Sequence, residues 1–426
     1  MNLTPASKTI AAAIALCISN CASAAPVIEI YGNLDAAVDH THQAHGNNTG
    51  TALAGSPSPV VAVNRVTTSL LSQSFLGLRG EYDIGQGYKA GVVLESLINV
   101  DTGNVANDGR IFGRQADAWV QTPWGRVTLG RQYAPIFYAF ARTTTGYLGT
   151  TDVMIGAITV NNLQIWQDNQ FSIKERVGDF NVVAAWSPNA GVGSSISAAR
   201  GSQVTPTSGQ ILGGQNAGSE SPNRAGESYG AALSYDGPDI DIAMGYHYNK
   251  FNVPIGLYSQ AKGTFTKLFD LQSFSAVLLA AKYKFAGTGT DIAGTVYRGG
   301  YDAIGPIDPK IQAMSIGLRQ THGQFSANLQ YIDVRFTNFT KGRDDAAMLT
   351  LEYSPFKSTT IYALGGFAND HRGSPTPTAT GLPVAGGPNA LLVPVGALEV
   401  PLFSGAGINN VGARTEIAAI GIRQQF

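Results

Sequence analysis

Cysteine is almost missing from this chain: the only two, Cys17 and Cys21, lie close to the amino terminus. If that segment is removed on export, no disulfide framework and no thiolate metal site can exist. Charge is scarce as well, with Asp, Glu, Lys and Arg making up 13% of the residues, about half the usual share. The formal net charge is −1, which argues against a nucleic-acid partner. No apolar run beyond the amino-terminal segment reaches the ~18 residues of a membrane-spanning helix. His-Glu-x-x-His and the phosphate-cradling Gly-Lys-Ser are also absent, so neither of these motifs points to an enzyme or a cofactor. A catalytic constellation built from scattered residues stays open as a minor alternative.

The amino terminus has a recognisable purpose. Lys8 precedes the apolar stretch Ile10 to Ile18, and Ala22-Ser23-Ala24 has the small-x-small form of a cleavage site. Residues 1–24 are expected to be a secretory signal, cut after Ala24 or, as second choice, after Ala25. A lipoprotein signal ending at Cys21 is the competing reading, disfavoured by the bulk of Asn20. Residues 25–426 then form one unit. Glycine is plentiful, 51 of 426 residues, and low charge without membrane helices is the profile of a transmembrane β-barrel, whose strands are apolar on one face only. A secreted β-solenoid or sandwich has a similar composition.

Periodicity and turns separate these. About sixteen strand-like runs can be traced, an even number within the outer-membrane range, among them 27–38, 69–82, 88–100, 110–121, 126–133, 169–177 and 414–426. Tight-turn chemistry at 84–87, 122–125, 178–179, 236–239, 287–289, 321–323 and 354–358 alternates with longer polar segments at 40–64, 135–168, 187–226, 251–270 and 369–413. Short connections at one end and long ones at the other suit a barrel with periplasmic turns and extracellular loops. A Greek-key sandwich would not alternate so regularly. The expected fold is therefore an all-β transmembrane antiparallel barrel.

Alternation assigns the faces. Leu70, Leu76, Leu78 and Tyr82 fall on the lipid phase, and Gln73, Phe75, Gly77, Arg79 and Glu81 on the lumen phase. Glu95 and Lys89 also face inward. Arg131 shares the outward phase of Val127 and Leu129, where an arginine at mid-bilayer costs ~2–4 kcal/mol. Either a neighbouring subunit covers it, with Asp101 or Asp108 as partner, or it lies at the rim and snorkels to water. The last run ends on Phe426, which suits an interfacial aromatic, and it places Arg423 inward.

Six segments then resemble a known family: Ile30-Tyr-Gly-Asn-Leu-Asp35, Gln73-Ser-Phe-Leu-Gly-Leu-Arg-Gly80, Leu94-Glu-Ser96, Phe112-Gly-Arg-Gln-Ala116, Thr128-Leu-Gly-Arg-Gln-Tyr133 and Gly421-Ile-Arg-Gln-Gln-Phe426. Together they resemble the Gram-negative trimeric porins of the beta-proteobacterial type. The resemblance implies a barrel of about sixteen strands in a homotrimer, each subunit with its own water-filled pore. It also implies an inward-folded third loop, here 135–167, and a second loop that latches onto the adjacent subunit near the arginine of Gly-Arg-Gln. Arg114 sits where the family sets a wall arginine, while Phe75 and Ser172 stand where others are usual, with Lys174 and Arg176 nearby. Asp152 is the acid of the inner loop. A less charged, more aromatic constriction is expected, drawing on Tyr133, Phe137, Tyr138, Phe140 and Tyr147, although these rings could equally pin the loop to the wall.

The candidate constriction residues are thus Arg79, Arg114, Asp152, Lys174, Asp35, Glu81 and Phe75, and the candidate interface residues Arg131, Asp101 and Asp108. Lumen charges of this kind set ion preference or merely wet the wall. His40, His42 and His45 form a histidine cluster at a polar loop and read as solvated mouth residues rather than a metal site. The expected function is an outer-membrane pore for passive diffusion of small hydrophilic solutes and ions. The alternatives are a substrate-preferring channel with an aromatic track and a non-pore β-rich adhesin. Expected partners are two further copies of the chain, outer-membrane lipid and lipopolysaccharide, and the permeating solutes.

Overall fold

Along the last strand, Arg414–Gln425, exposed and buried residues alternate from Arg414 to Arg423. Its apolar Ile420 and Ile422 lie on the exposed side. A hydrophobic face left open around a whole wall belongs in lipid, and strands cross lipid only when every backbone group is paired within a closed sheet. A computed structural model describes residues 27–43, 61–106, 109–153, 165–190, 226–259, 264–304, 310–337, 342–370, 389–392 and 414–426. The expected signal, residues 1–24, lies outside them, as do His45 and Asp108.

In chain order the strands are β1 Val27–Gln43, β2 Val61–Thr68, β3 Phe75–Gly85, β4 Tyr88–Leu97, β5 Gln115–Thr122, β6 Gly125–Tyr133, β7 Trp166–Val177, β8 Phe180–Ser187 and β9 Ser228–Asp236. They continue as β10 Ile240–Ser259, β11 Thr264–Phe285, β12 Thr290–Ile304, β13 Lys310–His322, β14 Phe325–Thr337, β15 Gly342–Phe356, β16 Thr359–Asp370, β17 Asn389–Leu392 and β18 Arg414–Gln425. All pairings are antiparallel between neighbours, and β1 closes the sheet on β18 in the register Asn33↔Gln425 to Gln43↔Thr415. β2 and β3 lie one after the other along the same flank of β1, and β17 is a short segment beside β10. The 18-stranded sheet therefore has about sixteen wall lanes, an ordinary barrel number.

Four expectations change. Residues 69–82 are not one strand: the chain turns inward at 69–74, with Ser69 at φ 64°, and resumes as β3. Leu70, expected on the lipid phase, is buried. Residues 40–64 are not wholly loop, because β1 runs on to Gln43 and pairs with β2. His40 and His42 therefore sit on a strand, with His40 Nδ1 2.7 Å from Asn64 Oδ1. Of residues 251–270, expected as a polar loop, 251–259 and 264–270 extend β10 and β11 as paired strands, since Thr and Phe favour strand backbone. Finally, residues 135–143 form a helix, α1 (Pro135–Thr143). Pro135 at the first turn lacks only an N–H that would have been orphaned there. Ile136, Ala139, Phe140 and Thr143 recur at i, i+3, i+4 and i+7, the helical period of the face that is buried.

Candidate functional site

The helix decides where the lumen narrows. α1 packs against β8 to β12, and it does so on their buried phase: a Cβ on Gly245 would lie 2.9 Å from Ile136 Cα, and one on Gly230 would lie 3.5 Å from Pro135. Ile136, Ala139, Phe140 and Thr143, spaced for one helical face, are buried against the wall. Lys282 Nζ donates to the Arg142 carbonyl at 2.9 Å, serving one of the orphan carbonyls at the helix end. The segment then crosses to the other side. Arg319 Nη1 reaches the Thr145 carbonyl, and Arg319 Nη2 donates to the Tyr147 hydroxyl at 2.7 Å and to Glu352 at 2.8 Å. The Arg423 guanidinium stands 4.2 Å from the Tyr147 ring centroid.

The far end of the segment is seated on the inward turn of 69–74. Thr150 N donates to the Ser69 carbonyl at 2.9 Å, and Thr151 N and Oγ1 both donate to the Leu70 carbonyl. Asp35 holds that turn in place: its carboxylate accepts from Leu71 N at 2.8 Å, Ser72 N at 2.6 Å and the Tyr362 hydroxyl at 2.6 Å. Asp152 is buried and accepts from Thr144 Oγ1 at 3.1 Å and Gln330 Nε2 at 3.3 Å. Residues 154–164, the rest of the expected inner loop, lie outside the described residues.

The wall opposite carries an arginine set among rings. The Arg114 guanidinium lies 4.0 Å from the Phe75 ring centroid and 5.4 Å from that of Tyr133. It is ion-paired with Glu95, which also accepts from the Tyr31 hydroxyl at 2.6 Å. Lys174 Nζ donates to the Tyr138 hydroxyl at 2.6 Å. Burial pushes that hydroxyl well above the usual phenol range, so it stays protonated and accepts through its oxygen lone pair.

The structure thus brings Phe75 and Arg114 into contact, places Asp35 and Asp152 on the two halves of the loop seat, and sets Lys174 under α1. Arg79 and Glu81 lie nearer the tight-turn end, exposed or half-exposed, and are paired with Glu29 and Lys89 at 2.6 Å each. Arg131 faces away from the lumen, donating to Asp168 at 2.5 Å and to the Gly113 carbonyl at 2.6 Å. Arg110 holds the same carboxylate at 2.9 and 3.0 Å. Asp101 is exposed at a turn. Sequence reading missed Arg126, Arg319, Glu352 and Tyr362. The inward phase of β13, read back from Ile311 and Ala313, would have found Arg319.

Comparisons agree with this geometry. Residues 9–373 match the model of the Gram-negative porin family. An outer-membrane porin protein of Bordetella pertussis is 53% identical over 57 residues, 13% of this chain and 15% of that protein. Outer-membrane porin protein 32 of Delftia acidovorans is 28% identical over 208 residues, 46% of this chain and 56% of that one. These matches thus span well under two thirds of either relative. The anion-selective porin from Comamonas acidovorans superposes with TM-score 0.64 at 19% identity, covering 94% of this chain and 100% of that one. OmpT of Vibrio cholerae, solved in a trimer form, gives 0.57 at 13% identity over 95% and 100%. The chain belongs to the Gram-negative porin family and is an outer-membrane β-barrel.

Proposed function

We propose that the barrel is a passive diffusion pore for small hydrophilic solutes and ions, narrowed by the segment that begins at α1 and selective through the charge and width of that narrowing. The observation that carries this reading is the crossing of the closed barrel by residues 135–151, clamped on one side by Gly245 and Lys282 and on the other by Leu70 and Arg319. Arg114, Lys174, Phe75, Asp35 and Asp152 act here, with Arg319 and Arg423 on the opposite side. Arg79 and Glu81 line the wider part towards the tight turns. Several cations are already matched by carboxylates, as in Arg114–Glu95, Arg319–Glu352 and Lys284–Asp241. Among the described residues Arg126, Lys174, Arg176 and Arg423 form no ion pair, which supports a modest anion preference. The family is one of channel proteins, which supports a reading without catalysis.

A homotrimer in outer-membrane lipid and lipopolysaccharide is the assembly this reading favours. The Arg131–Asp168–Arg110 cluster faces away from the lumen, and charge on that face is costly unless protein covers it. A neighbouring subunit, engaging through the segment that holds Asp101 and Asp108, supplies the cover. Planar-bilayer recording tests the proposal: conductance steps arriving in threes with a small anion-directed reversal potential are expected, and a folded barrel without conductance would count against it.

A further inference from the structure

Beneath α1, towards the tight-turn end of the lumen, lies a cavity of about 320 Å³ whose lining includes the cations Arg126, Lys174 and Arg176, the acid Glu175, and apolar surface from Ala139, Val183 and Ala232. That size is at the lower end of the ~300–1,000 Å³ of small-molecule sites. Its charge is unusual for a wall. Arg126 and Lys174 are direct cross-strand partners, and like charges set opposite each other in a sheet are destabilising. Arg176 follows on the same inward phase of β7. Glu175, the acid among the lining residues, has its carboxylate turned against Gly125. Arg142 is answered by Asp236, and Asp117 offsets part of the charge of both Lys174 and Arg126.

The cations are pre-positioned. The Arg126 guanidinium lies 3.9 Å from the Trp119 ring centroid, and its Nε donates to Gln121 at 3.2 Å. Lys174 uses one donor on Tyr138, and an ammonium has three. Among the described residues neither cation is in an ion pair with a carboxylate, so N–H groups of both remain for a ligand, next to the apolar surface of Ala139, Val183 and Ala232.

We propose that this recess is a binding site for small organic anions, with the anionic head held between Arg126 and Lys174 and the body against Ala139, Val183 and Ala232. The inference deepens the pore reading, on which it rests, by adding a resting place for one solute class below the narrowing. Arg114 and the loop seat do not contribute to it.

The test uses the folded protein in planar bilayers at fixed chloride, with benzoate, inorganic phosphate or neutral benzamide added on either side. Benzoate is expected to interrupt the current, more effectively from the side of the tight turns; phosphate is expected to do so more weakly and benzamide not at all. K174M and R126Q should each weaken the benzoate effect roughly tenfold, the factor that about 1.4 kcal/mol supplies, whereas R343Q, an exposed arginine paired with Asp333, should leave it unchanged. No interruption by benzoate, equal interruption by benzamide or phosphate, or an unaltered K174M response would overturn the proposal. Heat-modifiable gel mobility identifies variants that fold; if K174M does not, R126Q and the wild-type comparison of the three probes still decide. A folded barrel that conducts nothing would refute the pore reading instead, and calorimetric titration of the detergent-solubilised protein with benzoate would then judge the recess alone.

Discussion

Glu95 shows how much one lumen residue is asked to do. It is almost fully buried and receives Arg114, Gln115 and Tyr31, so its charge is tolerable only while those donors stay. R114Q leaves it unpaired and should cost about 3–5 kcal/mol of barrel stability. The double variant R114Q/E95Q should recover most of that. Urea midpoints followed by gel mobility measure both, and a double variant as weak as R114Q would contradict the pairing. Asp35 acts differently, since its carboxylate fastens a turn rather than a cation. D35N keeps the shape but loses acceptor capacity towards Leu71, Ser72 and Tyr362. A loss of roughly 1.5–3 kcal/mol is expected, while Y362F, which spares both backbone bonds, should lose about 1 kcal/mol.

At the scale of elements, the inward turn of 69–74 and α1 are parts of one device. The turn supplies the carbonyls of Ser69 and Leu70, and the crossing segment supplies Thr150 and Thr151. Gly149 permits the approach: a Cβ there would stand 2.3 Å from the Leu70 and Leu71 backbone, which is immovable compared with a side chain. G149V should therefore unseat the segment and raise single-channel conductance with more noise, and an unchanged conductance would show that the contact does not set the width. This device was only partly legible in the sequence. The strand phases of β6 and β18, Arg131 outward and Arg423 inward among them, follow from alternation alone, because a one-residue slip would put every apolar side chain in water. Arg114 does not, since it precedes β5 and strict alternation with Ala118 and Val120 would turn it outward, and only the family resemblance pointed to it. The break before Phe75 does not, because Leu70 continues the apolar period of Leu76 and Leu78 and nothing local marks the turn. Its cause is tertiary, namely Asp35 from β1 and Tyr362 from β16. The helix was missed for a related reason: its aromatic run has no side-chain cap and is held by Gly245 and Lys282, far away in the chain.

On the outward phase of the wall, Arg131, Arg110 and Asp168 gather at a bulge between β6 and β7, which Asn169 at φ 52° makes possible. R131Q/D168N should leave the barrel heat-modifiable but shift the oligomer band to monomer at a lower temperature. An oligomer band as heat-stable as the wild type would place the subunit contact elsewhere. The central claim, however, is that a closed barrel is narrowed but not sealed by the segment starting at α1. Single-channel recording of the folded protein under a salt gradient tests it most directly. Stepwise conductance with a small reversal potential of anion sign is the predicted result; zero conductance from a folded, heat-modifiable barrel would contradict it.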